Sequence, residues 1–253
     1  MDYRLICMTS DNYLPAIQTF TYLFNKYYYG EANSLIDCVI SGFSPPNFEL
    51  SYPYRFVSVG DQSDFPFNKW SDALYITLEQ VLERADEIVL IMLEDYWLTR
   101  PVQASNIEIL VDYMHNHPDV LKIDLCADRL YALGTDMNYD TVGHFDLIKS
   151  NPKSAYHMSL WPGLWRVDNL LKVLVPNESP HDVEITGTSR LAQEHPELIV
   201  LGTRQNPMQI GLGLRARDSS NLITDFMKRE DYLYCLQNGY FSYWGKKIEG
   251  TAP

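Results

Sequence analysis

Short apolar runs alternate with stretches of helical periodicity along the first half of the chain. Runs of strand length occur at about 3–8, 35–40 and 55–59, and apolar residues recur at helical spacing over about 13–28 and 69–84. Strands that alternate with helices are typical of a parallel sheet with helices packed on its faces. The predicted fold class is therefore α/β, with a mostly parallel central sheet flanked by helices.

The clearest strand in the pattern is Ile88–Leu93, IVLIML, which is apolar at every position. A run this short, bounded by charged residues, is typical of a strand buried on both faces of a sheet. It leads directly into Glu94 and Asp95. Because ligands of open α/β sheets bind outside the carboxyl ends of the strands, these acids are predicted to lie in a binding site. Adjacent carboxylates repel each other, which favours an oxygen-liganded divalent metal between them.

Beyond residue 100 the pattern is weaker. Between residues 126 and 153, Asp, Gly and Asn interrupt any period, which predicts irregular structure. The other elements predicted in this half are a helix at about 103–116, strands at 121–125 and 155–160, a helix at 167–175, a helix start or extended turn at 179–195, a strand at 198–201 and a periodic stretch at about 222–237.

Composition and charge disfavour several classes of protein. Aromatic residues make up 13% of the 253 residues, and their rings can stack on bases or sugars as well as fill a core. The net charge of −13 disfavours a large nucleic-acid-binding surface. Four widely spaced cysteines predict neither a zinc site nor a disulfide framework. Without a signal-peptide pattern or a long apolar stretch, the expected protein is soluble and cytoplasmic, with no transmembrane segment.

The order and spacing of several motifs resemble the GT-A class of nucleotide-sugar-dependent glycosyltransferases, in particular its small soluble bacterial and phage members. The motifs are LICMTSDNY, GDQSDFPFNKWSDAL, LIMLEDYWL, LWPGLWR and SPHDVE, which together span about residues 3–190. The resemblance implies one GT-A-like domain over 1–253. Its parts would be a Rossmann-like nucleotide-sugar-binding half at 1–100, an acceptor and catalytic half at 101–205, and a C-terminal extension at 206–253.

The resemblance implies a nucleotide-sugar donor, with a UDP-sugar favoured. It points to Thr9, Asp11 and Asp61 as contacts to the base and ribose, although Thr9 and Asp11 could equally cap a helix. Lys69 would place a cation near the diphosphate. Trp70 would place a ring near the base or sugar, and its alternative role is core packing.

The acids Glu94 and Asp95 stand where the class has an Asp-x-Asp motif, which holds a divalent metal on the donor diphosphate. This chain lacks the second acid of that motif, so Asp95 is the first candidate for a metal or ribose contact and Glu94 the second. The implied cofactor is Mg²⁺ or Mn²⁺, held by one or two carboxylates and the substrate phosphates. Transfer without a metal is the alternative.

The resemblance also implies a general base if the transfer inverts the sugar configuration. Asp182 and Glu184 are the candidates, with Asp182 preferred, and they would share one face if their segment were extended. His181 is a further candidate for the base, since histidine is a common general base, but it could equally be a surface histidine.

Three residues are expected near a hydroxyl acceptor. Trp161 and Trp165 flank a Pro-Gly hinge, and their rings could stack on a sugar or a base, or else cap the core. Arg166 could contact a phosphate. The preferred acceptor is a glycan or other saccharide.

Three other hypotheses remain open. A phage DNA glycosyltransferase would act on hydroxymethylated bases, through local basic patches formed by Lys149, Lys153, Arg166 and Lys172 or by Lys228, Arg229, Lys246 and Lys247. A nucleotidyltransferase would use the same acids with Mg²⁺, but MTSDNYL lacks the expected Gly-rich phosphate loop. A noncatalytic carbohydrate-binding module is favoured only by the Trp and Tyr content.

Overall fold

A computed structural model describes residues 3–29, 35–84, 87–126, 137–213, 221–241 and 247–249. The strands are β1 (Tyr3–Met8), β2 (Cys38–Gly42), β3 (Tyr54–Ser58), β4 (Ile88–Leu93), β5 (Tyr96–Leu98), β6 (Val120–Asp124), β7 (Met137–Val142), β8 (Phe145–Lys149), β9 (Gly163–Arg166), β10 (Ile199–Thr203), β11 (Ile210–Leu212), β12 (Asn221–Ile223) and β13 (Lys247–Glu249). The α-helices are α1 (Ala16–Phe24), α2 (Trp70–Val81), α3 (Ala104–Asn116), α4 (Val167–Val173), α5 (Pro180–Glu194) and α6 (Arg229–Gln237).

Nine of these strands form one central sheet, in the order β3-β2-β1-β4-β9-β6-β10-β8-β7. The neighbours β3, β2, β1 and β4 are parallel, and so are β6 and β10. β9 is antiparallel to both β4 and β6, and β8 is antiparallel to β10 and β7. The predicted α/β class with a mostly parallel central sheet is confirmed.

Helices pack on both faces of this sheet. Within β1, Leu5 and Cys7 enter one apolar cluster while Ile6 and Met8 enter another, as the period of two in a strand requires. The first cluster includes residues of α1, α3 and α6, and the second includes residues of α2, α4 and α5. No helix in the described ranges has the length and apolar character needed to cross a bilayer.

The strand predicted at Ile88–Leu93 is β4, and Ile88 to Met92 are buried. Its run of apolar residues is therefore explained by burial on both faces, although one neighbour is parallel and the other antiparallel. Its register with β1 pairs Leu93 with Met8, so Thr9 and Glu94 leave the sheet side by side. Most of the other predicted helices and strands are also present, with ends shifted by a few residues.

The prediction of irregular structure over 126–153 is wrong over residues 137–149, whereas residues 126 and 150–153 are irregular as predicted. β7 and β8 form a hairpin that turns at Gly143, whose φ of +56° suits glycine at a tight turn. β7 is the outermost strand of the sheet and exposes polar residues such as Asp140, so no apolar alternation marks it. Residues 127–136 of the predicted segment lie outside the described ranges.

The prediction of a strand at 155–160 is also wrong, because these residues form turns and the next strand begins at Gly163. Met158 and Leu160 are buried, as they would be in a strand. Their backbone N–H groups, however, donate to the Thr188 hydroxyl at 2.9 Å and to the Glu184 carboxylate at 2.8 Å. Side-chain acceptors therefore satisfy backbone donors that a strand ladder would otherwise pair.

Candidate functional site

The candidate site lies at the edge of the sheet where β1, β4 and β6 end. Because β9 is antiparallel, its first residue, Gly163, pairs with Ile91 near the end of β4 and with Asp124 at the end of β6. The Pro162 carbonyl accepts the Leu125 N–H at 3.0 Å at the same edge. The segment that ends in Trp161 and Pro162 therefore reaches the edge at which β4 delivers Glu94.

Glu94 and Asp95 occupy the turn between β4 and β5. Both residues keep part of their surface accessible, yet burial is the largest cause that raises the pKa of each carboxyl. The negative charge of Asp95 further raises the pKa of Glu94, and the pKa of Asp95 rises from 3.8 to about 6. Both carboxyl groups are therefore largely surrounded by protein and still reach solvent.

The raised pKa of Asp95 predicts that Asp95→Asn stabilises the ligand-free protein above pH 6. Below about pH 3, Asp95 is largely protonated in both folded and unfolded chains, so it contributes no penalty. As the pH rises through about 6, the folded protein must carry the buried charge and loses stability. The expected gain is on the order of 1 to 3 kcal/mol, or a few degrees in Tm.

Thermal unfolding of wild type and Asp95→Asn in EDTA, between pH 4 and pH 8, measures this difference. The difference between the two melting temperatures should be small at pH 4, grow up to about pH 6 and stay constant above it. Asp112→Asn removes an exposed carboxylate on α3 and should follow wild type throughout. A lower Tm for Asp95→Asn than for wild type at pH 8 would contradict the unfavourable burial of Asp95.

The backbone of the acidic turn is fixed by its neighbours. The Trp97 indole N–H donates to the Glu94 carbonyl at 2.9 Å, and the Gly213 N–H donates to the Asp95 carbonyl at 2.8 Å. Gly213 also lies flat against Trp97, since a Cβ added to it would stand 2.7 Å from the indole ring. These contacts hold both carboxyl groups at the sheet edge without using the carboxylate oxygens.

An aromatic pair borders the acids on the β9 side. The rings of Tyr96 and Trp161 are stacked, with centroids 5.8 Å apart and an interplanar angle of 23°. Tyr96 is buried, whereas Trp161 is partly accessible. Burial, followed by the charges of Asp95 and Glu184, raises the pKa of Tyr96, which places both carboxylates close to this ring. Trp161 thus presents an accessible aromatic surface within reach of the acidic turn.

Trp165 and Arg166, which were predicted at the acceptor, lie inside the protein instead. Trp165 is 1% exposed and packs in the second apolar cluster. Arg166 is 5% exposed, and its guanidinium donates to the Met114 carbonyl at the end of α3. Both belong to β9, the strand enclosed between β4 and β6, so an acceptor at the edge cannot touch them. Of the three predicted acceptor residues, only Trp161 is partly accessible at this edge.

The predicted base segment is helical, which separates the two candidates. Asp182 is the third residue of α5 and forms a capping box with Ser179, whose hydroxyl donates to the carboxylate at 2.6 Å. These bonds lower the pKa of Asp182, which makes it a weaker base. Two positions along a helix differ by about 200°, so Glu184 does not share the face of Asp182. Of the two alternatives predicted for this segment, the helix is the one present, so the shared face that an extended chain would have given is absent.

Glu184 contacts the turn segment that precedes Trp161 instead. One of its oxygens accepts the Leu160 N–H, and its charge acts on Tyr96. His181, the third candidate for the base, is exposed. Among the three, Glu184 is the residue that the structure brings to the aromatic pair.

Asp11 links the loops that follow β1, β2 and β3. Its carboxylate accepts the Ser44 backbone N–H at 2.9 Å and the Ser44 hydroxyl at 2.8 Å, while its own N–H donates to Gln62 at 3.2 Å. Asp11 therefore orders the edge next to Thr9, which is itself buried against Gly42. Asp61 is exposed at the start of the loop that contains Gln62.

Lys69 and Trp70 stand at the start of α2, and both are partly accessible. Trp70 packs against the second apolar cluster, so the packing role weighed for it is present. The predicted basic patch at 149–172 is incomplete, because Arg166 is buried and the Lys172 ammonium donates to Asn169 at 2.7 Å. In the second patch, Lys246 lies outside the described residues.

A complete metal site made by protein side chains alone is not found within the described residues, where no three His, Cys, Asp or Glu side chains cluster. Glu94 and Asp95 supply two neighbouring carboxylates. That set fits a hard divalent cation that takes its remaining ligands from substrate phosphates and water. All four cysteines are buried.

Comparison with known proteins gives distant structural similarity. Mouse xyloside xylosyltransferase 1, in its apo form, aligns with a TM-score of 0.42 and 9% identity over 100% of this chain and 96% of that chain. 4-Diphosphocytidyl-2C-methyl-D-erythritol synthase aligns with a TM-score of 0.41 and 13% identity over 85% of this chain and 96% of that chain. No protein-family model and no curated protein matches the sequence. Similarities this distant carry no conclusion about function, which has to rest on the site itself.

Tyr96 and Lys122 are two residues near the site that the sequence did not single out. Tyr96 follows Glu94 by two positions. Because residues two apart in an extended chain lie on the same side, the sequence could have placed Tyr96 beside Glu94. Lys122 lies within the apolar strand β6 and is completely buried. Because a lysine is rarely buried unless it is paired, its position in a predicted strand could have identified Lys122 as a residue of interest.

Proposed function

We propose that the protein is a glycosyltransferase that moves a sugar from a nucleotide diphosphate donor to a hydroxyl group of a saccharide. The observation that carries the proposal is the pair Glu94 and Asp95 at the carboxyl edge of the sheet, partly accessible and with raised pKa values. Two repelling carboxylates at such an edge favour a cation and a phosphate-bearing ligand. The motif resemblance to the GT-A class supports the same reaction.

Asp95 and Glu94 would hold Mg²⁺ or Mn²⁺ together with the donor phosphates. When bound, such an ion takes up negative charge on the leaving nucleoside diphosphate. The fixed backbone of the turn keeps both carboxylates at the edge before the donor arrives. Thr9 follows β1 beside Glu94, so the nucleotide would lie over the loops that Asp11 links, with a UDP-sugar as the favoured donor.

The acceptor would lie on the opposite side, against Trp161. Its ring is accessible and braced by Tyr96, and flat aromatic faces stack well on the CH surface of a sugar. For an inverting transfer, Glu184 would take the proton of the acceptor hydroxyl, because its carboxylate bonds to the Leu160 N–H next to Trp161. The overall charge of −13 and the burial of Arg166 support a saccharide acceptor over DNA.

Thermal unfolding with a panel of nucleotide sugars tests donor binding directly. At a concentration of 100 Kd, a donor that binds only the folded state adds about 2.7 kcal/mol of stability, which corresponds to a rise of several degrees in Tm. The largest rise is expected for a UDP-sugar with Mn²⁺ or Mg²⁺. EDTA should abolish most of it.

Two variants make this measurement specific. Asp95→Asn should lose the metal-dependent part of the shift, and Asp112→Asn should keep it. A shift produced by free sugars without a nucleotide would replace the proposal with a carbohydrate-binding module. Transfer of label from the bound donor to oligosaccharides, compared with hydroxymethylcytosine DNA, then identifies the acceptor class.

A further inference from the structure

Lys122 and Asp124 form a completely buried ion pair in β6. They are two residues apart, and both side chains are 0% exposed. Moving two charges out of water is costly, and a buried pair is often no more stabilising than apolar residues of similar volume. Stability alone is therefore a weak reason for this pair to exist, and its other contacts are more informative.

The Lys122 ammonium reaches from β6 to the segment that precedes β9. It donates to the Ser159 carbonyl at 2.5 Å and lies 4.7 Å from the centre of the Trp165 ring. β9 leaves room for it at Gly163, because a Cβ added there would stand 2.5 Å from the Lys122 Cε atom. Lys122, Gly163 and the Ser159 carbonyl therefore pack against one another.

The segment that Lys122 contacts carries Trp161 and contains only turns. Two side chains of α5 hold its backbone. The Thr188 hydroxyl accepts the Met158 N–H, and the Glu184 carboxylate accepts the Leu160 N–H. The Ser159 hydroxyl accepts the Trp161 N–H at 3.1 Å. On the sheet side, Lys122 anchors the segment at Ser159 and the Leu125 N–H anchors it at Pro162, while Asp124 holds the Lys122 ammonium in place.

We infer that the buried pair Lys122–Asp124 is a positioning device that fixes the turn segment 156–162, and with it the Trp161 ring, against Tyr96. The inference rests on the proposed function: Lys122 would help to orient the acceptor without contacting the acceptor itself. A ring held in one place before binding keeps the acceptor hydroxyl near the reacting carbon, whereas a loose segment would allow many unproductive poses. Donor binding, on the other side of the acidic turn, needs no such anchor.

The test uses the double variant Lys122→Met/Asp124→Asn, which removes both charges at nearly constant volume, and the single variant Lys122→Met. The matched control is Val111→Ala, a truncation in the core of α3 that weakens the fold without touching the segment. Amide hydrogen exchange, read by mass spectrometry, should become at least about tenfold faster in 156–162 of the double variant. Exchange in β1 should stay as in wild type, and Val111→Ala should not loosen the segment selectively.

Kinetics supply the second readout. In the double variant, the acceptor KM should rise or the transfer rate fall by about tenfold or more, while hydrolysis of the donor by water and donor KM stay within about twofold. Unchanged exchange in 156–162, or equal losses of hydrolysis and transfer, would overturn the inference. Absence of any nucleotide-sugar turnover by wild type would instead defeat the proposed function, and the exchange result would still decide whether the pair anchors the segment.

Discussion

Asp95→Asn is expected to lower kcat/KM for sugar transfer by at least about 100-fold, since metal stabilisation of the leaving diphosphate supplies several kcal/mol. The substitution keeps the size of the side chain and removes its charge. Because the charge is unfavourable in the ligand-free fold, the same variant should melt at a higher temperature above pH 6. The measurement is steady-state transfer from the donor that gives the largest thermal shift.

Loss of activity together with a gain in stability would be hard to attribute to misfolding. Asp112→Asn, with an exposed acid on α3 replaced in the same way, should keep wild-type rates. If Asp95→Asn retained more than half of the wild-type kcat/KM in the presence of Mn²⁺, the acidic turn would have no part in the reaction. Glu94→Gln should show a loss of the same kind, since Glu94 shares the site.

The second large effect concerns Glu184. Glu184→Gln is expected to reduce transfer to the acceptor by about 10²- to 10⁴-fold, the usual contribution of a general base. Glutamine keeps an oxygen that can accept the Leu160 N–H, so the segment that carries Trp161 should stay anchored. Donor binding, measured by thermal shift, should not change. The assay compares acceptor transfer with donor hydrolysis across pH.

Asp182→Asn is the matched control for Glu184→Gln. It lies two residues earlier on the same helix, at the third position of the capping box, where the amide oxygen of asparagine can still accept the Ser179 N–H. It should change stability slightly and leave transfer near the wild-type rate. A large loss in Asp182→Asn with little effect in Glu184→Gln would reverse the assignment. Retention of sugar configuration in the product would remove the need for either base.

The hydrophobic pattern predicted the fold where burial dominates. β4 is apolar throughout because it is buried on both faces, and its acids reach the edge because the strand ends there. The pattern failed where polar side chains replace the strand ladder, as at Met158 and Leu160, and at the outermost strand β7. In those places the partners are more than twenty residues away or the strand is exposed, so local periodicity carries no signal.

The site was only partly predictable for the same reason. Glu94 and Asp95 could be placed from one strand end, but the separation of Trp161 from Trp165 depends on where β9 begins. In WPGLWR both rings look alike, and the structure encloses one while leaving the other accessible. Likewise, the sequence SPHDVE does not distinguish Asp182 from Glu184 as a base. In the helix, Asp182 caps the N-terminus, whereas the charge of Glu184 acts on Tyr96.

The position of β9 bears on how the protein reaches its folded state. β4 and β6 have no hydrogen bonds to each other in the sheet, and the strand that joins them is synthesised about forty residues after β6 ends. Such long-range pairing slows folding, because the chain must close a large loop before the contact forms. A growing chain on the ribosome therefore holds two open strand edges at the centre of its future core. The acidic turn and the Trp161 ring come together only at the step that closes this gap.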